Sequence, residues 1–419
     1  MRDIVELFSN SRFRALWFAR IISNIGNGMA PIALSFGILG LPGATAKELG
    51  YVLTGQAITI VVMLPFGGVI ADRYPRAALV AITDLIGSVF VMAQGILFIT
   101  GTATWQLIAI NHAIFGILAA IWWPAFPGIV PAIIKQEDWN RANAVLAIAN
   151  NGGMIFGAAI AGLLVTVAGP GWALFIDGVS FVIAGALVWT LRHLTPRTPP
   201  SGESVIGDLR HGFGTFMSYR WVWVVVAAFS VIVACMRAGF DVAGPVLFKE
   251  QFNGAADYSK VQTLYAIGFL AGAVLATKYK PKRPLVFCLT LTLAMPLQLW
   301  LMSEAFPIWV LAIGAFLVGV CFEQWGVNWG TALQTHIPRE SLSRVSAFDA
   351  MGSLLFGPIG LAVAGPLIAA HGVSAVLLGS GLITLVMLTL PFLEREVREL
   401  RWIDPEPAEA VQGRATEGA

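Results

Sequence analysis

Twelve stretches of the chain are apolar for about twenty residues or more, each dotted with Gly, Ala, Ser and Thr and broken from the next by a charged or Pro/Gly-containing turn. Their approximate limits are 13–38, 47–71, 77–99, 104–131, 141–168, 172–191, 221–247, 258–279, 284–303, 307–333, 344–370 and 373–393. A helix rising 1.5 Å per residue needs roughly 20 apolar residues to cross the hydrocarbon core of a bilayer. The pattern therefore predicts an all-α polytopic membrane protein of twelve transmembrane helices. The first run ends in no small-residue cleavage site and reads as a retained helix.

Composition agrees. Of 419 residues, 57% are hydrophobic and 12% are charged, with a mean hydropathy of +0.77. A soluble domain carries about 25% charged residues, because its surface must face water. A secreted disulfide scaffold, a nucleic-acid binder and a disordered chain are excluded. Cys235, Cys288 and Cys321 lie apart in apolar runs and read as small core residues.

The basic residues give an orientation. Lys47, Lys249 and Lys260 fall between spans on one side, Arg20 and Arg237 lie within spans, and the remaining 21 of the 26 Lys and Arg flank the spans on the other side. By the positive-inside rule both termini are expected in the cytoplasm, with the chain multi-pass in the cell (inner) membrane. The long segment 192–220 begins with Pro196, Pro199, Pro200 and Gly202, a linker composition. It then sets Val205, Leu209, Phe213 and Phe216 at helical spacing, which predicts an amphipathic cytoplasmic helix. The expected organisation is an N-terminal six-helix bundle over 1–191, this linker, a C-terminal six-helix bundle over 221–393, and a disordered tail over 394–419.

The halves repeat. GAAIAGLLV at 157–165 matches GLAVAGPLI at 360–368, and the same offset of 203 lays Arg141 on Arg344, Gly116 on Gly319 and Trp122 on Trp325. Parallel six-helix repeats around an axis along the membrane normal are the plan of a large transporter fold with its substrate site between the halves. Close helix packing alone also favours recurring Gly and Ala, although it does not explain the shared Arg and Trp.

After the second span the chain reads Gly67-Gly68-Val69-Ile70-Ala71-Asp72-Arg73-Tyr74-Pro75-Arg76. This resembles the G-x-L-x-D-R-x-G-R signature of the major facilitator superfamily, matching at Gly68, Asp72, Arg73 and Arg76, with Pro75 in place of a glycine. FRALWFARIIS at 13–23, WALFIDGVSF at 172–181 and DLRHGF at 208–213 are similar to the branch that holds siderophore, drug and macrolide exporters. The resemblance implies proton-driven export. Two departures stand out: residues 157–162 lack the proline of the antiporter pattern, and His112 stands where the family carries Arg. A gating set is expected at Gly68, Asp72, Arg73, Arg76, Arg344 and Asp84, with Gly68 permitting close helix contact and Asp72 facing the start of span 11 near Arg344.

Ionisable residues inside spans are costly and are functional candidates by default. Glu323 falls mid-membrane, where it reads either as a proton carrier or as hydrogen-bonded glue, with Gln324 and Asn328 as neighbours. Arg237 and Asp241, four apart, share a helix face and form either a structural pair or a proton-switched contact. His112 is a third titratable candidate or a packed polar residue. Arg20 and Asp84 either pair or take an anionic substrate, and Asp349 is expected to pair with Arg344 or the motif loop. Trp122, Trp325, Trp329 and Phe322 on spans 4 and 10 are expected to face one another across a cavity, or else to serve as interfacial anchors. With Gln324, Asn328, Asn24, Asn27, Asn150 and Arg20 they make the expected substrate site.

No phosphate-binding loop or metal-ligand cluster is visible, so neither an ATP-driven pump nor an enzyme is expected, and no cofactor. The expected partners are a small amphipathic substrate, protons and the lipid bilayer, without nucleic acid, for a monomer. The reading is a secondary exporter of drug-like or natural-product molecules by proton antiport. Its alternatives are a siderophore exporter, an importer or uniporter of a small metabolite, and a non-transporting membrane sensor.

Overall fold

Within hydrocarbon every backbone N–H and C=O must be satisfied inside its own segment, so apolar runs of this length fold as helices. The computed structural model describes residues 7–194 and 213–401, without the side chains of Asn140, Arg339, Glu340, Ser343 and Arg344. It contains twelve helices long and apolar enough to span a membrane: α1 Ser11–Leu39, α2 Ala46–Arg73, α3 Arg76–Ile99, α4 Trp105–Gly128, α5 Arg141–Val167, α6 Pro170–Trp189, α7 Arg220–Gln251, α8 Ala255–Lys278, α9 Pro284–Ser303, α10 Ile308–His336, α11 Val345–His371 and α12 Val373–Leu393. Side-chain caps start several of them. Asn10 accepts the Arg12 N–H at 3.0 Å, and Thr45 with Glu48 forms a reciprocal capping box on α2.

The packing repeats between the halves. Helix α1 packs on α5 and α6, α2 on α4, and α3 on α6; α7 packs on α11 and α12, α8 on α10, and α9 on α12. The repeated glycines explain why. Gly157 of α5 lies against the backbone of Ile25 and Gly28 on α1, and its counterpart Gly360 of α11 lies against Ala234 on α7. Gly116 of α4 sits on the Gln56 carbonyl of α2, and Gly319 of α10 on the Tyr265 carbonyl of α8. No side chain fits at these crossings, where backbones meet directly.

The second glycine of each copy joins the halves. Gly162 of α5 packs on Ala255 and Ser259 of α8, and Gly365 of α11 packs on Ala46 and Lys47 of α2. Gly50 of α2 lies against the Leu361 carbonyl of α11. All these residues lie at the ends remote from Arg73, Arg76, Lys278 and Lys280, whose face is called the basic face below. At the far face one apolar core includes residues of both halves. Toward the basic face there are two cores, one drawn from residues 7–191 and the other from 216–400. The bundle is therefore sealed at the far face and parted at the basic face.

Three sequence expectations change. Helix α7 continues to Gln251, so Lys249 sits in its last turn instead of a loop, and its ammonium donates to the Leu39 carbonyl at the end of α1. The tail is ordered further than expected: Arg395–Glu399 is helical, with Glu394 paired to Arg220 at 2.7 Å and Glu396 accepting the Trp221 N–H at 3.2 Å. Val397 and Leu400 are buried in the C-terminal core, an apolar contact that polar composition concealed. In the linker, Val205 and Leu209 lie outside the described residues; Phe213 and Phe216 are helical and pack on Phe348 of α11 at 5.6 and 6.0 Å.

A Leu at position 365 would collide with backbone of the opposite half, while one at 360 would collide within its own half. We expect Gly365→Leu to open the far face, seen as a longer and broader distance between spin labels on α2 and α11. Gly360→Leu should instead lower thermal stability by about 1–3 kcal/mol.

Candidate functional site

Three cavities lie within the halves, one in the N-terminal half and two in the C-terminal half. The first, about 390 Å³, is in the N-terminal half and is bordered by Arg20, Asn24, Asn27, Asp84 and Trp122. A small polar network holds its cation. Arg20 Nε donates to Asn150 Oδ1 at 3.0 Å, and Asn24 Nδ2 donates to the same oxygen at 2.9 Å and to the Arg20 carbonyl at 2.7 Å. The guanidinium lies over the rings of Trp122 and Phe126, at 4.8 and 4.5 Å from their centroids. Asp84 borders the same cavity as Arg20 and Trp122, and it forms no direct ion pair with Arg20 among the described residues. Asn27 bonds Ser23 at 3.4 Å.

The second cavity, about 360 Å³, lies deep in the C-terminal half. Its charge is the expected pair: Arg237 Nη1 donates to Asp241 Oδ2 at 2.7 Å, with 48% and 36% of the two side chains exposed. Residues 237–243 form a π-helix within α7. The wider turn is met by Tyr258 of α8, whose hydroxyl donates to the Phe240 carbonyl at 3.0 Å. Tyr258, Gln262 and Tyr265 border this cavity from one face of α8. They escaped sequence reasoning; their i, i+4, i+7 spacing was the available signal.

The third cavity, about 330 Å³, lies toward the basic face of the same half and shares Phe322 and Leu354 with the second. Trp325 stacks on Phe229 at 4.1 Å and on Trp329 at 5.9 Å. Asp349 accepts the Trp329 indole N–H at 2.9 Å, and the side chain of its expected partner Arg344 lies outside the described residues.

Several expected site residues lie elsewhere. Trp122 and Trp325 border different cavities in different halves, because α4 packs on α2 and α10 on α8. Gln324 and Asn328 are buried and borne by neighbouring backbone: Gln324 Nε2 donates to the Gly272 carbonyl at 2.8 Å, and Asn328 Nδ2 to the Gln324 carbonyl at 2.7 Å. Gln324 ties α8 to α10, Asn328 bonds within α10, and neither borders the three cavities. Glu323 is half-buried beside Gly272, makes no hydrogen bond among the described residues, and borders none of the three cavities. His112 likewise is half-buried on α4, outside them.

In the motif loop, Asp72 pairs with Arg76 at 3.5 Å and its side chain is 71% exposed, so in this state it does not reach α11. The side chain of Arg344 is outside the described residues. Arg76 covers Gly128 at the end of α4, and Arg73 is exposed. The close helix contact belongs to Gly67, against the Ala120 carbonyl; Gly68 meets nothing.

The model of the Major Facilitator Superfamily matches residues 16–348 and 236–416. The chain belongs to this superfamily. It is 25% identical over 424 residues to the enterobactin exporter EntS of Shigella boydii serotype 4 (strain Sb227), covering 96% of each chain. It is 24% identical over 369 residues to YkuC of Bacillus subtilis (strain 168), described as an uncharacterized MFS-type transporter, covering 82% of this chain and 83% of that one. Among solved structures, the nucleoside transporter NupG superimposes with a TM-score of 0.72 at 15% identity, covering 91% of this chain and 98% of that one. A bacterial homologue of the human lysosomal transporter Spinster, in an inward-facing and unoccupied conformation, gives 0.68 at 14%, covering 94% and 98%. The protein is a multi-pass membrane transporter of this superfamily and not an enzyme.

Asn150 holds both Arg20 and Asn24 through one oxygen. Asn150→Ala should cost about 1–3 kcal/mol of stability in detergent, as expected for a lost partner of a charged donor, measured by thermal unfolding.

Proposed function

We propose that this transporter exports small amphipathic molecules from the cytoplasm by proton antiport, with its basic face cytoplasmic. The observation that carries the reading is the cleft itself. Its walls combine aromatic rings with a few charged groups, and it opens at the face bearing the Lys/Arg-rich loops while glycine contacts seal the other. That is the loading state of an exporter in an alternating-access cycle. The likeness to an enterobactin exporter supports a natural-product or siderophore-like substrate over a nucleoside-sized metabolite, whose transporters share the fold at low identity.

Two carboxylates are the coupling candidates. Protonating Asp241 would release Arg237 from its pair inside the second cavity, and an incoming substrate could then use the freed cation. Glu323 on α10 makes no hydrogen bond among the described residues, and a carboxylate inside a span without a partner is a functional candidate by default. Reconstituted into proteoliposomes, Asp241→Asn and Glu323→Gln should each be tested for substrate counterflow and for accumulation driven by a pH gradient. The coupling residue's variant keeps counterflow and loses accumulation at least ten-fold. If both variants accumulate substrate like wild type, the antiport reading is wrong.

The exposed Asp72–Arg76 pair is worth less than about 1 kcal/mol here, so Asp72→Asn should leave thermal stability unchanged. Transport should nevertheless slow several-fold if Asp72 engages α11 when the basic face closes. A wild-type transport rate for this variant would remove Asp72 from the gate.

A further inference from the structure

Pro245 lies within α7, just past the π-helix at 237–243. Proline has no N–H. In a regular α-helix it would leave the Asp241 carbonyl, four residues back, without a donor and press its ring on that oxygen. The chain avoids this by widening: the Gly244 N–H reaches back five residues to the Gly239 carbonyl. The shortfall moves to Phe240. Its carbonyl has lost the Gly244 N–H of an α-turn, and Pro245, at the donor position of a π-turn, offers none. Tyr258 of α8 answers it, its hydroxyl donating at 3.0 Å.

The same tyrosine touches the opposite half. Its buried ring lies 5.7 Å from that of Phe36, near the end of α1, and 5.3 Å from that of Phe248 on α7. Phe36 also rests on Gly254, whose φ of 57° makes the turn from α7 into α8 with no side chain in the way. Lys249, next to Phe248, donates to the Leu39 carbonyl at the end of α1. Phe248 and Lys249 both lie beyond the π-turn. Removing the extra residue that the turn accommodates would rotate them by about 100° around the helix axis and carry both off α1. On its other side Tyr258 borders the second cavity, where Arg237 and Asp241 form their pair within the π-turn.

We propose that Tyr258 is a positioning residue of the transport cycle that ties the far-face seal to the Arg237–Asp241 pair. Its hydroxyl holds the π-turn that carries the pair, and its ring seats Phe36 of the other half. The inference rests on the alternating-access reading, but not on the direction of transport or on protons. When the π-turn tightens to α, the Gly244 N–H returns to the Phe240 carbonyl and Tyr258 loses its acceptor. The outer end of α7 then turns Phe248 and Lys249 off α1, and part of the far-face seal is gone. The tightened form sets the Asp241 carbonyl against Pro245, a cost that holds the π-turn in the sealed state. A change at the pair thus reaches the seal through one turn of α7, without touching the glycine contacts of α5 on α8 or of α11 on α2.

The test reads the distance between spin labels on exposed far-face loops of opposite halves, attached at Thr102→Cys and Glu304→Cys, in the full chain without substrate or gradient. The native cysteines are buried. Tyr258→Phe keeps the ring and loses the hydroxyl, and should raise the long-distance population roughly three-fold or more. Pro245→Ala supplies an N–H that competes with Tyr258 for the Phe240 carbonyl. It should also raise that population, although alanine is the better helix former and a purely structural role would leave the distances alone. Asp241→Asn should shift the distances in the otherwise native chain and add nothing to Tyr258→Phe, because both act through one turn. A wild-type distribution in folded Tyr258→Phe, no shift in Asp241→Asn, or shifts that add in full overturns the proposal. Should Tyr258→Phe not fold, as judged by its thermal unfolding, Pro245→Ala and Phe36→Leu decide, and unchanged distances in both overturn it. Proteoliposome transport separates the two readings. Distance shifts as expected without pH-driven accumulation keep the tie and sink the antiport, whereas pH-driven accumulation with unchanged distances sinks the tie alone.

Discussion

Backbone-to-backbone contact at glycine is the constraint on which the arrangement of this transporter rests. Water provides no driving force between helices in lipid, so association depends on how closely their backbones approach. Gly157 and Gly360 seat α5 and α11 within their own halves, and Gly162 and Gly365, five residues on, seat the same helices against the opposite half. One short motif, repeated once, thus makes each bundle and also closes the far face. The sealed face and the open basic face follow from where along α5 and α11 the second glycine falls. Lys249, bonded to the last turn of α1, reinforces the same seal.

The open side is polar where it must be and apolar elsewhere. Three of the charges inside the spans are answered locally, by Asn150 and two rings for Arg20, by Asp241 for Arg237, and by Trp329 for Asp349. A charge in hydrocarbon without such partners costs several kcal/mol. These local solutions leave the cleft with distinct stations: a resident cation in one half, a neutral ion pair deep in the other, and a carboxylate among rings near its mouth. A molecule entering from the basic face meets the aromatic carboxylate and the guanidinium before it reaches the pair. The π-helix widens α7 where the pair sits, and Tyr258 satisfies a carbonyl at that turn, so the irregular backbone is supported where it borders the cavity.

Much of this was legible in the sequence. Twelve apolar runs, the one-sided basic residues and the repeat at an offset of 203 specify the helices and their doubling, because bilayer thickness fixes helix length and the repeat fixes the topology. The i, i+4 spacing of Arg237 and Asp241 sufficed for their pairing, since both lie on one helix and the contact is local. What failed was the contact between helices. Trp122 and Trp325 occupy equivalent places in the repeat, yet equivalence relates two environments without bringing them together, and each faces the cavity of its own half. Gln324 and Asn328 looked like binding groups in an apolar span, but tertiary packing turns them toward the Gly272 carbonyl and each other. Asp349 was expected to pair with Arg344 or the motif loop, and its bond from Trp329 appears only in the crossing of α10 and α11. Sequence therefore determined which segments span, how they repeat and which charges neighbour one another along a helix. The tertiary structure alone decided which face each helix turns inward and which end of the bundle is open, because both depend on backbone approach between segments up to 318 positions apart, as at Lys47 and Gly365.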